Sequence, residues 1–337
     1  MGLEYAYTNA RVKGMKSNLL GASVLREMMA VKTADEVIAI LEQSPYSQDF
    51  VRLSQNYSGL ELVDKALHEN FVRTVRTVFR SLPKSGRKAF EVLASEWLAA
   101  DIKKILSKKA LGEKVDESEL IVVNEKNRQF FKRLIAAPSL EQTIAVLASK
   151  DFGGNEFKNA LAGESDFRVA IREIDKALAR QLNAYASSLD KLSAGIIRKK
   201  MEYHDALVAL RLKKEGLKLS EIAKFLLAPE CSLSKKIAGA HSLETALDVV
   251  QESFSIEKNL VENAKQSGNL VLVEVALEKA LAKAVVSATR ISVLSFATVL
   301  GFFYLKQIEV ENIRKIAFAN AFGLREEMSQ YVFALNE

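Results

Sequence analysis

The stretch Asp205–Gly216, DALVALRLKKEG, decides the fold, because the chain says it three times. Asp101–Gly112 reads DIKKILSKKALG and Asn312–Gly323 reads NIRKIAFANAFG. In each copy an Asp or Asn stands eleven residues before a Gly, and the residues between are helix formers. Glycine enters the left-handed conformation that ends a helix, so Gly112, Gly216 and Gly323 are expected as helix stops. Asp101, Asp205 and Asn312 are expected to be equivalent structural positions. The copies lie about 105 residues apart, well beyond the 20–50 residues of a solenoid repeat, so each unit is large enough for a small bundle.

A second landmark repeats at the same interval. TADEVIAILEQSPY starts at Thr33, SLEQTIAVLASKDF at Ser139 and SLETALDVVQESFS at Ser242. The opening Thr or Ser can accept from the free N–H groups of a helix start. Glu36 and Gln142, three residues on, complete capping boxes, whereas Thr245 makes the third box weaker. Each segment closes on an aromatic: Tyr46, Phe152 and Phe254. The expectation is an all-α chain of three pseudo-symmetric helical bundle units, at 1–120, 121–230 and 231–337.

Composition agrees. The 337 residues include only four prolines and fifteen glycines, so long uninterrupted helices are favoured. One cysteine, Cys231, excludes an internal disulfide framework. The opening MGLEYAYTNARVKGMK lacks the apolar core of a secretory leader, and none is expected. The longest uncharged run, Ile291 to Leu305, would span about 22 Å as one helix, short of the roughly 30 Å of a bilayer core. It reads as a buried core helix between Arg290 and Lys306.

Periodicity predicts further elements. Residues 3–29 read as a first helix. Residues 61–80 carry the stripe Val63, Leu67, Phe71, Val75 and Val78. Apolar residues run at steps of three and four from Ile171 to Leu210, with Gly195 as a possible break. Loops are expected around 44–58, 116–126, 151–165, 228–235 and 266–268.

No chemistry is announced. His68, His204 and His241 have no metal-ligand spacing. His204 and Asp205, adjacent on a helix, are expected to point apart. No phosphate-binding loop or nucleophile elbow occurs; Gly153-Gly154 reads as a turn, and Cys231 lacks a positioned base. Catalytic, cofactor-binding and metal-binding residues are therefore all expected to be none, and the chain is not expected to be an enzyme. The net charge is +6, with basic clusters at 73–114 and 198–236. Without interleaved stacking aromatics these suit a protein-docking surface or solvated helix faces better than nucleic acid.

Two segments resemble a known family. The opening YAYTNARVKGMKSNLL and the stretch VLGFFYLKQIEVENIRKIAFANAFGL, with Lys306, Glu309, Asn312, Ile313, Arg314, Ile316 and Gly323, are similar to the C subunit of archaeal and bacterial A/V-type rotary ATPases (A-type ATP synthases). Its counterpart in the eukaryotic V-type ATPase is the d subunit. The family favours an acidic residue three before the Asp/Asn position; Glu202 and Glu309 fit, Leu98 does not. Two residues after that position it favours a basic residue, present as Lys103 and Arg314 but replaced by Leu207 in the middle unit. Asp stands where Asn is usual at 101 and 205.

The resemblance implies a funnel of three helical lobes around a central cavity. It implies a non-catalytic central-stalk rotor part between the axle subunits and the membrane proteolipid ring, without cofactors. Such a part couples ATP synthesis or hydrolysis to ion translocation. It would lie at the cytoplasmic face of the membrane, held there through the complex, with no nucleic-acid partner. Lys103 and Arg314 are then the candidate partner contacts. The alternatives from the residues alone are a helical scaffold or a basic nucleic-acid-binding protein.

Overall fold

The computed structural model describes residues 3–149, 161, 166–186, 188–291 and 294–332, and the chain is all-helical. Among the described residues there is no strand. No described helix is long and apolar enough to cross a membrane. The readings placed on Phe152, Gly153-Gly154 and the loop at 151–165 lie outside the described residues. Packing divides the chain into two compact units, residues 1–82 with 250–337 and residues 83–249. The boundaries expected at 120 and 230 follow the repeat of the chain, whereas packing draws its boundaries at 82 and 249.

The first unit contains α1 (Ala6–Ser17), α2 (Ala22–Ala30), α3 (Ala34–Leu41), α4 (Ser47–Leu53) and α5 (Gly59–Ser81) from its N-terminal part. The second contains α6 (Lys84–Ala110), α7 (Glu125–Ala136), α8 (Leu140–Leu147), α9 (Phe167–Ala186), α10 (Lys191–Lys214), α11 (Leu219–Ile222) and α12 (Ser232–Gly239). The chain returns to the first unit within α13 (Leu243–Phe254) and continues through α14 (Lys258–Ser267), α15 (Val271–Ile291), α16 (Ala297–Phe322) and α17 (Arg325–Ser329).

Local chemistry starts and stops these helices. The Thr33 hydroxyl accepts from the Glu36 amide while Glu36 accepts from the Thr33 amide, a complete capping box. Ser139 accepts from the Gln142 amide, and Ser242 from the Thr245 amide. Gly112, Gly216 and Gly323 have φ of +72°, +79° and +72° just beyond α6, α10 and α16.

Three helix expectations need correction. The first predicted helix breaks at 18–21, where Asn18 and Leu19 fold back onto Met15 and Lys16. The expected loop at 44–58 contains the short helix α4. The long periodic stretch breaks not at Gly195 but earlier, between Ala186 and Lys191. There the Asp190 carboxylate accepts from the Leu192 and Ser193 amides and starts a new helix. Gly195 passes through α10 without a break.

In the first unit, α16 is the axis against which α1, α2, α3, α5, α15 and α17 pack. Its buried residues run from Ala297 to Asn320 and face most of its neighbours, while Arg314, Phe318 and Phe322 mark its exposed side. Phe302 and Phe303 meet edge to face at 5.2 Å between ring centroids, and Phe303 meets Phe71 at 6.1 Å. The uncharged run at 291–305 is not one helix: α15 ends at Ile291 and α16 begins at Ala297. Gly301 lets these two helices approach, because a Cβ there would collide with the Thr289 side chain.

In the second unit, α9 lies against both α6 and α10, and α10 against α12. Lys103–Asp175 at 2.7 Å and Lys200–Glu96 at 2.5 Å tie α6 to α9 and α10. Phe90 and Trp97 pack edge to face within α6 at 5.9 Å between ring centroids, and both are buried.

Candidate functional site

The repeated Asp has a physical task. A helix that ends on a left-handed glycine turns its chain back, and the returning segment brings backbone N–H groups that must find acceptors once buried. On α10, Asp205 is fully buried. One carboxylate oxygen accepts from the Leu227 amide at 2.7 Å. The other accepts from the Ala228 amide at 3.0 Å and the Ser234 hydroxyl at 2.9 Å. His204 does not point away: its Nδ1 lies 3.5 Å from the same carboxylate, a correction to the helical-wheel expectation.

On α6, Asp101 is also buried but accepts one amide, that of Ile121, at 2.6 Å. Burial pushes its carboxyl up to about 7, against the opposing pull of the Ile121 amide and of Lys104. On α16, Asn312 occupies the third position and is buried as well.

The proposed partner charges already have partners inside the chain. Lys103, half-buried, pairs with Asp175. Arg314, exposed, pairs with Asp64 at 2.7 Å and so joins α16 to α5. It stands on a surface groove of about 340 Å³ lined by Leu60, Val63, Asp64, Ala317 and Phe318. Phe318 of that lining packs on Phe322 at 4.4 Å between ring centroids, and both are exposed.

A cluster of buried charge lies within the first unit. Lys306 and Glu309 sit one turn apart on the buried side of α16, so each ionic group needs partners. The Lys306 ammonium donates to Glu309 Oε1 at 2.8 Å and to the Tyr46 hydroxyl at 2.7 Å. It also lies 4.1 Å from the centre of the Tyr46 ring. The Tyr46 hydroxyl donates to Glu309 Oε1 at 2.5 Å, and the Leu20 amide donates to Glu309 Oε2. Beside this trio, buried Asp49 accepts from Arg73 through both oxygens, at 2.9 and 2.7 Å, and from Asn70 at 2.9 Å.

Desolvation pushes the Tyr46 hydroxyl well up, and Glu309 pushes it further. Desolvation draws the Lys306 ammonium down, while Glu309 and Asp49 oppose it. The trio's charges are committed to one another inside the core. The trio clamps α16 to the start of α4 and to the turn between α1 and α2, and Asp49 in turn ties α4 to α5.

In the sequence, Tyr46 falls in a different motif from Lys306 and Glu309, with nothing local to join it to them. The available signal is an ionic pair at i,i+3 that follows directly on the apolar stretch ending at Leu305. Asp49 and Arg73 carry no local signal at all. Cys231 sits at the start of α12 with its sulfur 3.6 Å from Glu202. Among the described residues, no group of three or more His, Cys, Asp or Glu is set to hold a metal ion.

The residues of the resemblance are thus mostly fold-holding residues of the first unit, and comparison with known proteins follows them along the whole chain. The model of the ATP synthase (C/AC39) subunit family matches residues 8–331. The chain belongs to this family. The A-type ATP synthase C subunit of Methanococcoides burtonii is 28% identical, over 96% of this chain and 92% of that protein. The A-type C subunits of Thermococcus kodakarensis and Pyrococcus horikoshii are each 26% identical. They cover 96% and 93% of this chain, and 88% and 85% of their own lengths. At such identity, shared length and one family model over nearly the entire chain speak for a common architecture. The family members are ATP synthase subunits, in keeping with helices stitched together by structural polar groups.

Proposed function

We propose that this protein is a non-catalytic central-stalk subunit of an A/V-type rotary ATPase, seated between the axle subunits and the membrane proteolipid ring. In that place it would transmit torque between ATP synthesis or hydrolysis and ion translocation. The supporting observation is the buried Tyr46–Lys306–Glu309 clamp, which ties residues more than 250 positions apart in the sequence. A torque-bearing part needs elements that do not slip, and fully partnered buried ion pairs specify one arrangement. Family membership and the A-type ATP synthase relatives support the same reading.

The threefold repeat of the chain is proposed to build three lobes around a cavity open to the axle. The location proposed is the cytoplasmic face of the membrane, reached through the complex. Lys103 and Arg314 remain proposed partner contacts, and exposed Arg314 on its groove is the better placed of the two. Pull-down of the purified chain with axle subunits and with the detergent-solubilised ring tests the reading. Capture of both is expected, and capture of neither would overturn it. A small-angle scattering envelope should be a three-lobed funnel rather than a rod or sphere.

A further inference from the structure

One end of the first unit is nearly free of negative charge. The hydrogen bond from the Thr8 hydroxyl to the Ser81 carbonyl, 2.6 Å, sets the first turn of α1 against the last turn of α5. The Asn9 amide donates to the Ser295 carbonyl at 3.1 Å and brings the α15–α16 junction to the same place. Tyr5 packs on Phe296 at 6.2 Å between ring centroids. Across the residues next to these contacts, 3–17, 76–82, 283–291 and 294–301, Glu4 is the only acidic residue, while Glu69, Glu278 and Glu309 stand further along the same helices.

The basic side chains at its surface include Arg11, Lys13, Lys16, Arg80, Lys283 and Arg290. All six are exposed except Lys16, which is half-buried. Desolvation draws the Lys16 ammonium down, and Arg290 and Lys13 push it further the same way, so both stand within electrostatic reach of Lys16. Lys283 lies seven residues before Arg290, two helical turns back on the same side of α15.

Helix dipoles account for part of this. Lys16, Arg80 and Arg290 each fall in the last turn of a helix, where a cation is stabilising. They do not account for Arg11, Lys13 or Lys283. Nor do they account for the apolar bodies set among the cations. Tyr7 is 65% exposed and Leu294 is 39% exposed. Arg11 donates to the Tyr7 hydroxyl at 3.0 Å, which holds the ring outward with a cation at its tip. An amphipathic ring and a leucine surrounded by long basic side chains fit an interface that is anionic at its surface and apolar just beneath.

We propose that this end of the first unit, centred on Lys13, Arg290 and Tyr7, is a contact site for the anionic headgroups of a lipid bilayer. The choice of lipid over another polyanion rests on the membrane-side reading given above. The cations meet the phosphates, while Tyr7 and Leu294 enter the headgroup layer. The contact is an auxiliary one, reversible and sensitive to salt, since each basic residue near an anionic surface adds only a modest factor.

The test is flotation of the purified full chain with vesicles of phosphatidylcholine alone and of phosphatidylcholine with phosphatidylglycerol. Binding should rise steeply with the phosphatidylglycerol fraction and fall as salt is raised. The double variant Lys13→Glu/Arg290→Glu should weaken it about tenfold or more. The neutralising pair Lys13→Gln/Arg290→Gln should weaken it less while circular dichroism confirms an unchanged fold. Tyr7→Ser should weaken binding without changing its salt dependence. Equal binding to both vesicle types, no binding at low salt, or binding unmoved by these variants would each overturn the proposal. Binding of duplex DNA that the same variants abolish, without vesicle binding, would overturn it in favour of nucleic acid. Capture of the ring in detergent by a chain that ignores vesicles would likewise overturn it, while leaving the rotor reading standing.

Discussion

Helices α6 and α10 carry the same residue at the same place in the repeat and use it differently. Asp205 receives two amides and a hydroxyl, and its carboxylate is the hub of the chain's return into α12. Asp101 receives one amide. Both are buried, so the difference lies in how many donors the returning segment delivers. At Asp205 three donors take up the carboxylate's lone pairs. A carboxylate with one donor remains poorly solvated, which is why burial dominates at Asp101 and lifts it to about 7. The third copy, Asn312, carries no formal charge, and the first unit places its buried charges at Lys306 and Glu309 instead. The repeat thus fixes a position for a polar tie, while each unit sets its electrostatics separately.

The largest expected effect breaks the comparison at its stronger end. Asp205→Ala leaves two buried amides and a hydroxyl without their acceptor and should cost about 4 kcal/mol in urea denaturation. The same change at Asp101 should cost about 1–2 kcal/mol, since only one amide is orphaned. Equal losses at both sites would show that donor number does not decide the tie.

Next comes the buried pair of the first unit. Glu309→Ala leaves the Lys306 ammonium in the core without its carboxylate and should cost about 3–4 kcal/mol. Replacing both together, Lys306→Met with Glu309→Leu, should cost less than the single change, because no buried charge is stranded. Denaturant midpoints of the two variants check the order.

A pH series sharpens the Asp101 side. Its folded carboxyl is raised to about 7, so the folded chain keeps a proton that the unfolded chain releases near pH 4. Its contribution is complete below about pH 4 and is lost as pH rises through about 7. Asp101→Asn keeps an acceptor for Ile121 and removes the charge. Relative to wild type it should gain on the order of 2 kcal/mol at pH 8 and show a flatter stability profile between about pH 4 and 8. A profile unchanged by Asp101→Asn would show that other groups set the slope.

The helix stops should respond more weakly. Gly323→Val forces a β-branched residue to φ near +72° and should lower stability by about 2 kcal/mol. An unchanged melting temperature would contradict the left-handed end. Smallest of all, Arg314→Ala removes a solvent-exposed pair with Asp64 and should change stability by less than about 1 kcal/mol. Reversing Lys103 and Arg314 together should weaken assembly with partner proteins of the complex while leaving the chain folded.

Much of the fold is legible in the sequence because it is written in local chemistry. The Thr33–Glu36 box, the left-handed glycines and the stripe of α5 each act within a few residues, and sequence spacing exposes such signals directly. The break between α9 and α10 escapes the spacing because the apolar pattern continues across it, while a single capping residue, Asp190, starts the second helix. The contact of His204 escapes a helical wheel because the wheel ignores side-chain length, and an imidazole can bend toward its neighbour's carboxylate.

The sequence by itself determined that the chain is helical, repetitive and a relative of the A-type ATP synthase C subunits, since periodicity, caps and family motifs need no partner to be read. Only the tertiary structure decided what the repeated Asp is for and how many amides each one holds. It alone joined Tyr46, Lys306 and Glu309, and gathered cations from three separate stretches at one end of a unit. The reason is physical. A helix start is a contract between neighbours in the chain, whereas burial, desolvation and ion pairing depend on which distant segment arrives, and at what distance.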